Sequence, residues 1–244
     1  MHRFYADENR PEVGMAHLSA EDARHAIRVL RMNPGDQAEI FLNGSRFLGK
    51  ISDITGDDVT LRLVSELPST EARLRVTLYQ GLPKADKMEL IIQKAVELGA
   101  EAIVPVVMSR CVVRLDERDG RKKQERWQKI AREACKQSGR CLTPPVETPI
   151  SFRELLNRLP GHDAAIVPWE DASDYSLNRF HREHPDITSL AVVIGPEGGM
   201  SAEEIKAMAQ VGCLPVTLGP RILRTETAGL ATVSALMCLY GEMT

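Results

Sequence analysis

Two glycine-rich turns near the C-terminus constrain this chain more than any other feature. The first lies between the β-branched run Leu190–Ile194 and the segment Ser201-Ala202-Glu203-Glu204-Ile205, and it reads Gly195-Pro196-Glu197-Gly198-Gly199-Met200. An apolar run of this composition is a buried strand. Ser201 with Glu204 three residues later is a capping box, which predicts a helix from about Ala202. The second turn follows Pro215-Val216-Thr217-Leu218 and reads Gly219-Pro220-Arg221-Ile222-Leu223-Arg224-Thr225-Glu226-Thr227-Ala228. An apolar helix to about Tyr240 comes next.

A strand, a glycine turn and a helix N-terminus together form a binding device. Glycine lets a ligand approach the backbone, and the first free amides of a helix meet a carboxylate or phosphate. One such turn serves many α/β connections for geometry alone. Two in succession point to a site. Arg221, Arg224 and Glu226 stand between Leu218, Ile222, Leu223 and an apolar helix, which is a poor setting for mere solvated surface. They mark the carboxyl end of a strand, where open α/β sheets bind ligands.

The rest of the chain falls into two parts. Up to about residue 70 it reads as a small β-rich barrel. Strand patterns from Gln37 to Leu42 and Arg46 to Ile54 flank Asn43-Gly44, a strong hairpin signal, and Val59–Val64 is another strand. Ser19 caps a helix predicted from about Ala20 to Met32. Arg24, His25, Arg28 and Arg31 fall largely on one side of it, with little acidic company after Asp22. Pro68-Ser69-Thr70-Glu71 is a linker. From residue 73 strands and helices alternate, which argues for a parallel α/β sheet: Leu74–Gln80, Ala102–Val107 and Ala164–Val167 as strands, Lys84–Leu98, Gln124–Ser138 and Ser151–Leu159 as helices.

Charge and cysteine content narrow the function classes. The net charge of −3 argues by itself against a nucleic-acid partner, but between Arg110 and Arg140 eleven Lys or Arg stand against five Asp or Glu. That local surplus suits a phosphate-rich partner. The five cysteines form no CxxC pair, so no zinc site is expected. No apolar run approaches the ~20 residues of a membrane span, and the N-terminus lacks a signal-peptide core. A cytoplasmic protein without a membrane partner is the expectation. GxxxxGK[ST] and GxSxG motifs are absent, and no GxGxxG follows the first strand of the α/β part.

Further polar groups are site candidates. Lys84, Lys87 and Lys94 could meet phosphate, or Glu89 and Glu97 could neutralise them in helix pairs. Arg110 stands at the end of a strand. Glu133, Gln137 and Arg140 share helical spacing, while Trp127, Ile130, Ala131 and Ala134 form the apolar face.

Gly195-Pro-Glu-Gly-Gly with Leu218-Gly-Pro-Arg-Ile-Leu-Arg-Thr-Glu-Thr-Ala resembles the ribosomal RNA small subunit methyltransferase E family. This is a branch of the SPOUT (α/β-knot) RNA methyltransferases. His25 with Val29-Leu30-Arg31, the Lys84–Glu89 and Lys94–Gly99 segments, Ser109-Arg110, and Glu133, Gln137-Ser138 and Arg140 extend the resemblance over nearly the whole chain.

The resemblance implies a PUA-like RNA-binding barrel over residues 1–70 and a SPOUT α/β domain with a C-terminal trefoil knot over 73–244. It also implies a homodimer. The implied reaction transfers a methyl group from S-adenosylmethionine, without metal, to N3 of one uridine in the decoding region of 16S rRNA in the 30S subunit. Gly195, Gly198, Gly199, Leu218, Gly219, Ile222 and Leu223 fit the donor, and Arg224 fits the charge that gathers on uracil. Glu197 or Glu226 could take the N3 proton. Arg24, His25, Arg28, Arg31, Arg110 and Arg140 are the expected RNA contacts. Two other readings use the same scaffold: a SPOUT tRNA ribose 2′-O-methyltransferase, and a non-catalytic RNA-binding assembly factor.

Overall fold

The computed structural model describes residues 1–7, 10, 12–113 and 115–243. The chain divides into two compact units, Met1–Glu71 with Cys135–Thr143, and Ala72–Ala134 with Pro144–Thr244.

The first unit contains strands β1 (His2–Tyr5) and β2 (Met15–His17), a short helix α1 (Ala20–Arg24), and strands β3 (Gln37–Leu42), β4 (Ser45–Thr55) and β5 (Asp58–Leu67). The strand order is β1-β3-β4-β5-β2. A bridge between Ala6 and Leu18 joins the two edge strands and closes a small barrel, which removes its open edges. Phe4, Ile40 and Leu61 fill the interior. Asn43 and Gly44 both take positive φ, 50° and 77°, the geometry a two-residue hairpin turn needs.

Ser19 Oγ accepts the Asp22 amide at 3.2 Å and starts α1 as expected. The helix does not continue to Met32. It widens into a π-type turn over His25–Val29, the Leu30 amide reaching back to the His25 carbonyl at 3.1 Å. Arg31 then adopts φ 53° and Met32 drops into the barrel core. Pro34 follows, and a residue before proline is kept out of the helical region. Arg24, His25, Arg28 and Arg31 are all exposed.

Cys135–Thr143 belongs to this first unit through polar bonds. Tyr5 Oη donates to the Arg140 carbonyl at 2.9 Å, and Thr70 Oγ1 donates to the Gly139 carbonyl at 2.8 Å. Arg140 Nε donates to Glu71 at 3.0 Å, and the Arg140 side chain is only 8% exposed. This corrects the expectation for Arg140. Its guanidinium is spent inside the unit on Glu71, and removing one partner of so buried a pair strands the other's charge. Gly139, with φ 76°, breaks the helix before Arg140, so Arg140 does not share a helical face with Glu133 and Gln137.

The second unit holds β6 (Arg75–Gly81), α2 (Lys87–Glu97), β7 (Ala102–Val107), most of α3 (Glu117–Ser138), β8 (Ile150–Ser151), α4 (Phe152–Arg158), β9 (Ala164–Pro168), α5 (Leu177–Glu183), β10 (Ser189–Ile194), α6 (Ala202–Gln210), β11 (Cys213–Val216) and α7 (Thr225–Leu239). Six strands pair in the order β11-β9-β10-β6-β7-β8, all parallel. Covered on both faces, such a sheet needs continuous apolar strands. Leu190–Ile194 supplies one, every residue being buried.

α3 begins seven residues earlier than its periodicity suggested, because the Asp116 carboxylate accepts the Asp119 amide at 2.8 Å and caps it. α7 packs against α2, β10 and β6, although β11, which precedes it, is an edge strand. The chain therefore returns from the edge of the sheet to its middle, the crossing that the expected C-terminal knot requires. Gly229 permits the close approach: a Cβ there would lie 3.4 Å from both Gln80 Oε1 and Ile194 Cγ1.

Candidate active site

The carboxyl ends of β9, β10 and β11 open into one cleft of about 930 Å³. Three loops form its walls. The first, after β10, is the Gly195–Met200 turn. Gly199 takes φ 69°, and its amide closes a tight turn on the Pro196 carbonyl at 2.9 Å. The turn lies directly on the end of β6, where a Cβ on Gly81 would sit 2.6 Å from the Pro196 nitrogen. Ser201 and Glu204 form the capping box foreseen for α6. The other Glu204 oxygen accepts the Ser109 amide at 2.8 Å, tying the end of β7 to this helix.

The second wall, Thr217–Arg224, connects β11 to α7. Gly219 takes φ 96° there, and its amide donates to Thr217 Oγ1 at 3.1 Å. A buried relay joins the two loops. Gln80 Nε2 donates to Thr225 Oγ1 at 2.8 Å, and Thr225 Oγ1 donates to the Gly195 carbonyl at 2.6 Å. The third wall runs from Pro168 to Ser173 after β9 and includes half-buried Trp169. Sequence reasoning missed this wall. Its signal was the strand ending at Pro168-Trp169-Glu170, a carboxyl end like the other two. Gln80 and Thr225 carried no local signal, since their bond spans 145 residues.

The charges are arranged around Lys87. Its Nζ lies 3.1 Å from Glu197 and 3.1 Å from Glu226, and the Lys84 amide donates to Glu197 at 3.0 Å. Burial pushes the Glu197 pKa up, but the amides of Glu197 and Lys84 and the Lys87 ammonium outweigh it, leaving the carboxyl below its ordinary value. Glu226 is lowered first by its own amide, against burial, with Lys87 and Arg224 adding to the effect. Lys87 is raised in turn by Glu197 and Glu226. Both carboxylates that could have served as bases are therefore held ionised, by backbone amides first and by the shared Lys87 ammonium in addition.

Lys87 was expected to meet phosphate or to pair with Glu89. Instead Glu89 pairs with Arg126 at 2.6 Å. Lys94 does pair with Glu97, at 2.9 Å.

Arg110 Nη1 donates to the Gly198 carbonyl at 3.0 Å. Its side chain packs so closely that a Cβ on Gly198 would come within 3.1 Å of Arg110 Cβ. Arg224 is exposed at the N-terminus of α7. Among the described residues its guanidinium makes no hydrogen bond or ion pair, and it acts on Glu226 only through its charge.

The cleft thus brings together Gly195, Glu197, Gly198, Gly199, Leu218, Gly219, Ile222, Leu223 and Arg224, with Glu226 and Arg110 bonded to its edge. Arg24, His25, Arg28 and Arg31 belong to the first unit, where Arg28 pairs with Asp57 at 3.1 Å. The arrangement offers glycine backbone, apolar side chains and, among the described residues, two cations without an ion pair or hydrogen bond, Arg221 and Arg224.

Residues 70–237 match the family model described as an RNA methyltransferase domain, and residues 18–64 match one described as an RNA methyltransferase PUA domain. A Bacillus subtilis protein named ribosomal RNA small subunit methyltransferase E is 37% identical over 247 residues, covering 97% of this chain and 96% of its own. Two solved structures are similar along essentially their full length. The ribosomal RNA small subunit methyltransferase E of Neisseria gonorrhoeae, bound to S-adenosyl methionine, is 35% identical with a TM-score of 0.83 and covers 100% of both chains. A Legionella pneumophila protein described as a methyltransferase, in complex with bound SAM, is 32% identical with a TM-score of 0.80 and covers 97% of this chain and 96% of its own.

Proposed function

We propose, for a chain that belongs to the ribosomal RNA small subunit methyltransferase E family, transfer of a methyl group from S-adenosylmethionine to N3 of one uridine in the decoding region of 16S rRNA. The carrying observation is the cleft, in which two glycine turns face an uncommitted arginine. Its volume of about 930 Å³ lies within the range of small-molecule sites, roughly 300–1,000 Å³. Gly199 and Gly219, both at positive φ, leave the loop backbone open to a ligand without side-chain bulk. Ile222 is 81% exposed, an apolar side chain that gains by packing on a ring. With Gly195, Gly198, Leu218 and Leu223, these residues would hold the donor, which when bound supplies an electrophilic methyl group.

The residues of the chain have two tasks. They hold uracil against the donor in line, and they stabilise the negative charge left when the N3 proton leaves. Arg224 is placed for the second. Glu197 and Glu226 are poor proton acceptors near neutrality because their pKa values are depressed. We read them, with Lys87, as the frame that positions the two loops, and Arg110 as a clamp on the first loop. The proton then leaves to water with Arg224 as electrostatic support. Arg24, His25, Arg28 and Arg31 contact the RNA from the barrel surface.

The protein works as a homodimer on the 30S subunit, in the cytoplasm where that subunit is found. α7 supports the dimer: it is apolar around its whole circumference, while Leu230, Ala231, Ala235 and Leu239 are only partly buried. A helix of that kind calls for cover on every side.

Small subunits from cells lacking this gene, incubated with the protein and S-adenosylmethionine, should gain one 3-methyluridine, read as a reverse-transcription stop. A ribose methyl in its place, or no methyl at all, overturns the assignment. Turnover should rise about tenfold per pH unit between pH 6 and 8, since uracil ionisation limits it. A rate that did not change between pH 6 and 8 would return the base to an already ionised carboxylate, Glu197 or Glu226.

A further inference from the structure

The solvent face of α3 has no role in the cleft. Arg118, Arg121, Lys122, Lys129 and Arg132 are all exposed. At 3.6 residues per turn they fall within a sector about 100° wide. They extend over four turns, about 21 Å of helix. Among the described residues none of the five makes an ion pair or a side-chain hydrogen bond. Glu125 lies in the same sector and neutralises none of them within 4.0 Å. Several cations elsewhere are paired, as in Arg10 with Asp58, Arg158 with Glu147 and Arg179 with Glu183.

A row of like charges on one helix face is repulsive on its own. It is tolerated more readily where a polyanion neutralises it. The row is also tied to a helix whose first residue lines the cleft. Arg126, at the margin of the stripe, pairs with Glu89 of α2 at 2.6 Å. Two residues earlier on that helix is Lys87, which lines the cleft.

We propose that this face of α3 is a track for the RNA backbone, meeting the phosphates that flank the target uridine. The inference rests on the reading of the substrate as rRNA. It adds a contact surface within the α/β unit that is separate from the barrel.

The test uses the full-length protein and a triple variant, Arg121→Gln with Lys129→Gln and Arg132→Gln. Glutamine keeps the helix propensity close to that of Lys and Arg. Binding is measured to 30S subunits and to a protein-free 16S rRNA fragment between 50 and 300 mM salt. Affinity should fall about tenfold or more near physiological salt, and the slope of log K against log salt should become shallower by about 2, roughly 0.7 per lost phosphate contact. KM for RNA should rise while kcat and S-adenosylmethionine affinity stay unchanged. A second variant, Arg121→Lys with Arg132→Lys, should retain parental affinity, because a phosphate needs only the charge.

Unchanged affinity and slope in the glutamine variant, in a preparation whose parent methylates 30S subunits, overturns the track alone. Weaker 30S binding with an unchanged slope would mark a protein contact and also overturns it. A parent that binds RNA but adds no methyl group defeats the functional reading, and the salt slopes then still decide the track.

Discussion

Arg224 stands at the N-terminus of α7, and among the described residues its guanidinium makes no hydrogen bond or ion pair, while Lys87 lies 3.1 Å from both Glu197 and Glu226. A cation left unpaired there has little to contribute to the fold. Charge on a deprotonating uracil exists mainly in the transition state, so losing the guanidinium should cost turnover more than affinity. Arg224→Gln is expected to keep the parental melting temperature and donor affinity and to lose about 10²–10³ in kcat. Arg224→Lys should recover part of it. An early-melting Gln variant would make the residue structural.

Gly199 presents the opposite case. A Cβ there has room, its nearest neighbours being Arg110 Nη1 at 3.7 Å and Glu170 Oε1 at 3.9 Å, but φ is 69°. The left-handed region costs a non-glycine residue about 1–2 kcal/mol. Gly199→Ala should therefore lower the melting temperature by roughly 2–4 °C per kcal/mol and weaken donor binding as the loop relaxes. Titration calorimetry with unaltered donor affinity would separate this loop from the donor.

At the scale of elements, Lys87 joins three: the start of α2, the loop after β10 and the first turn of α7. Folded Glu197 and Glu226 lie below the ordinary carboxylate value of 4.5. The stability they contribute is thus fully present above pH 4.5 and is lost as pH falls through their lower folded values. Lys87 lies above its ordinary 10.5, so its share is fully present below that pH. Lys87→Gln removes the coupling. The gap in melting temperature between parent and variant should be widest between pH 6 and 8 and should narrow as pH falls below 4.5. A gap that stays constant with pH would mean that Lys87 acts by packing alone.

At the scale of the molecule, the two units have separate cores, and the cleft lies wholly in the second. A ligand that binds only the folded state stabilises it by about 2.7 kcal/mol at one hundred times its Kd. S-adenosylmethionine at that excess should raise the melting of the α/β unit by roughly 5–10 °C and leave the barrel's hydrogen-exchange protection unchanged. Equal protection of both units by the donor would contradict a site confined to the second.

Where a signal is local, the sequence by itself was enough. The capping box at Ser201 and Glu204, the Asn43-Gly44 turn and the apolar run of β10 each act within a few residues, through backbone hydrogen bonds and side-chain burial. The two glycine turns were legible for the same reason, since a positive φ at Gly199 or Gly219 is a property of one residue. Tertiary structure decided the rest. Only packing brings Lys87 to Glu197 and Glu226, Gln80 to Thr225, and the Pro168–Ser173 wall to the other two loops. It also turned Arg140 inward onto Glu71, 69 residues away, where helical spacing had placed it on the surface. A charged side chain takes whichever opposite charge the fold delivers within about 4 Å, and that choice is made over separations that no local pattern encodes.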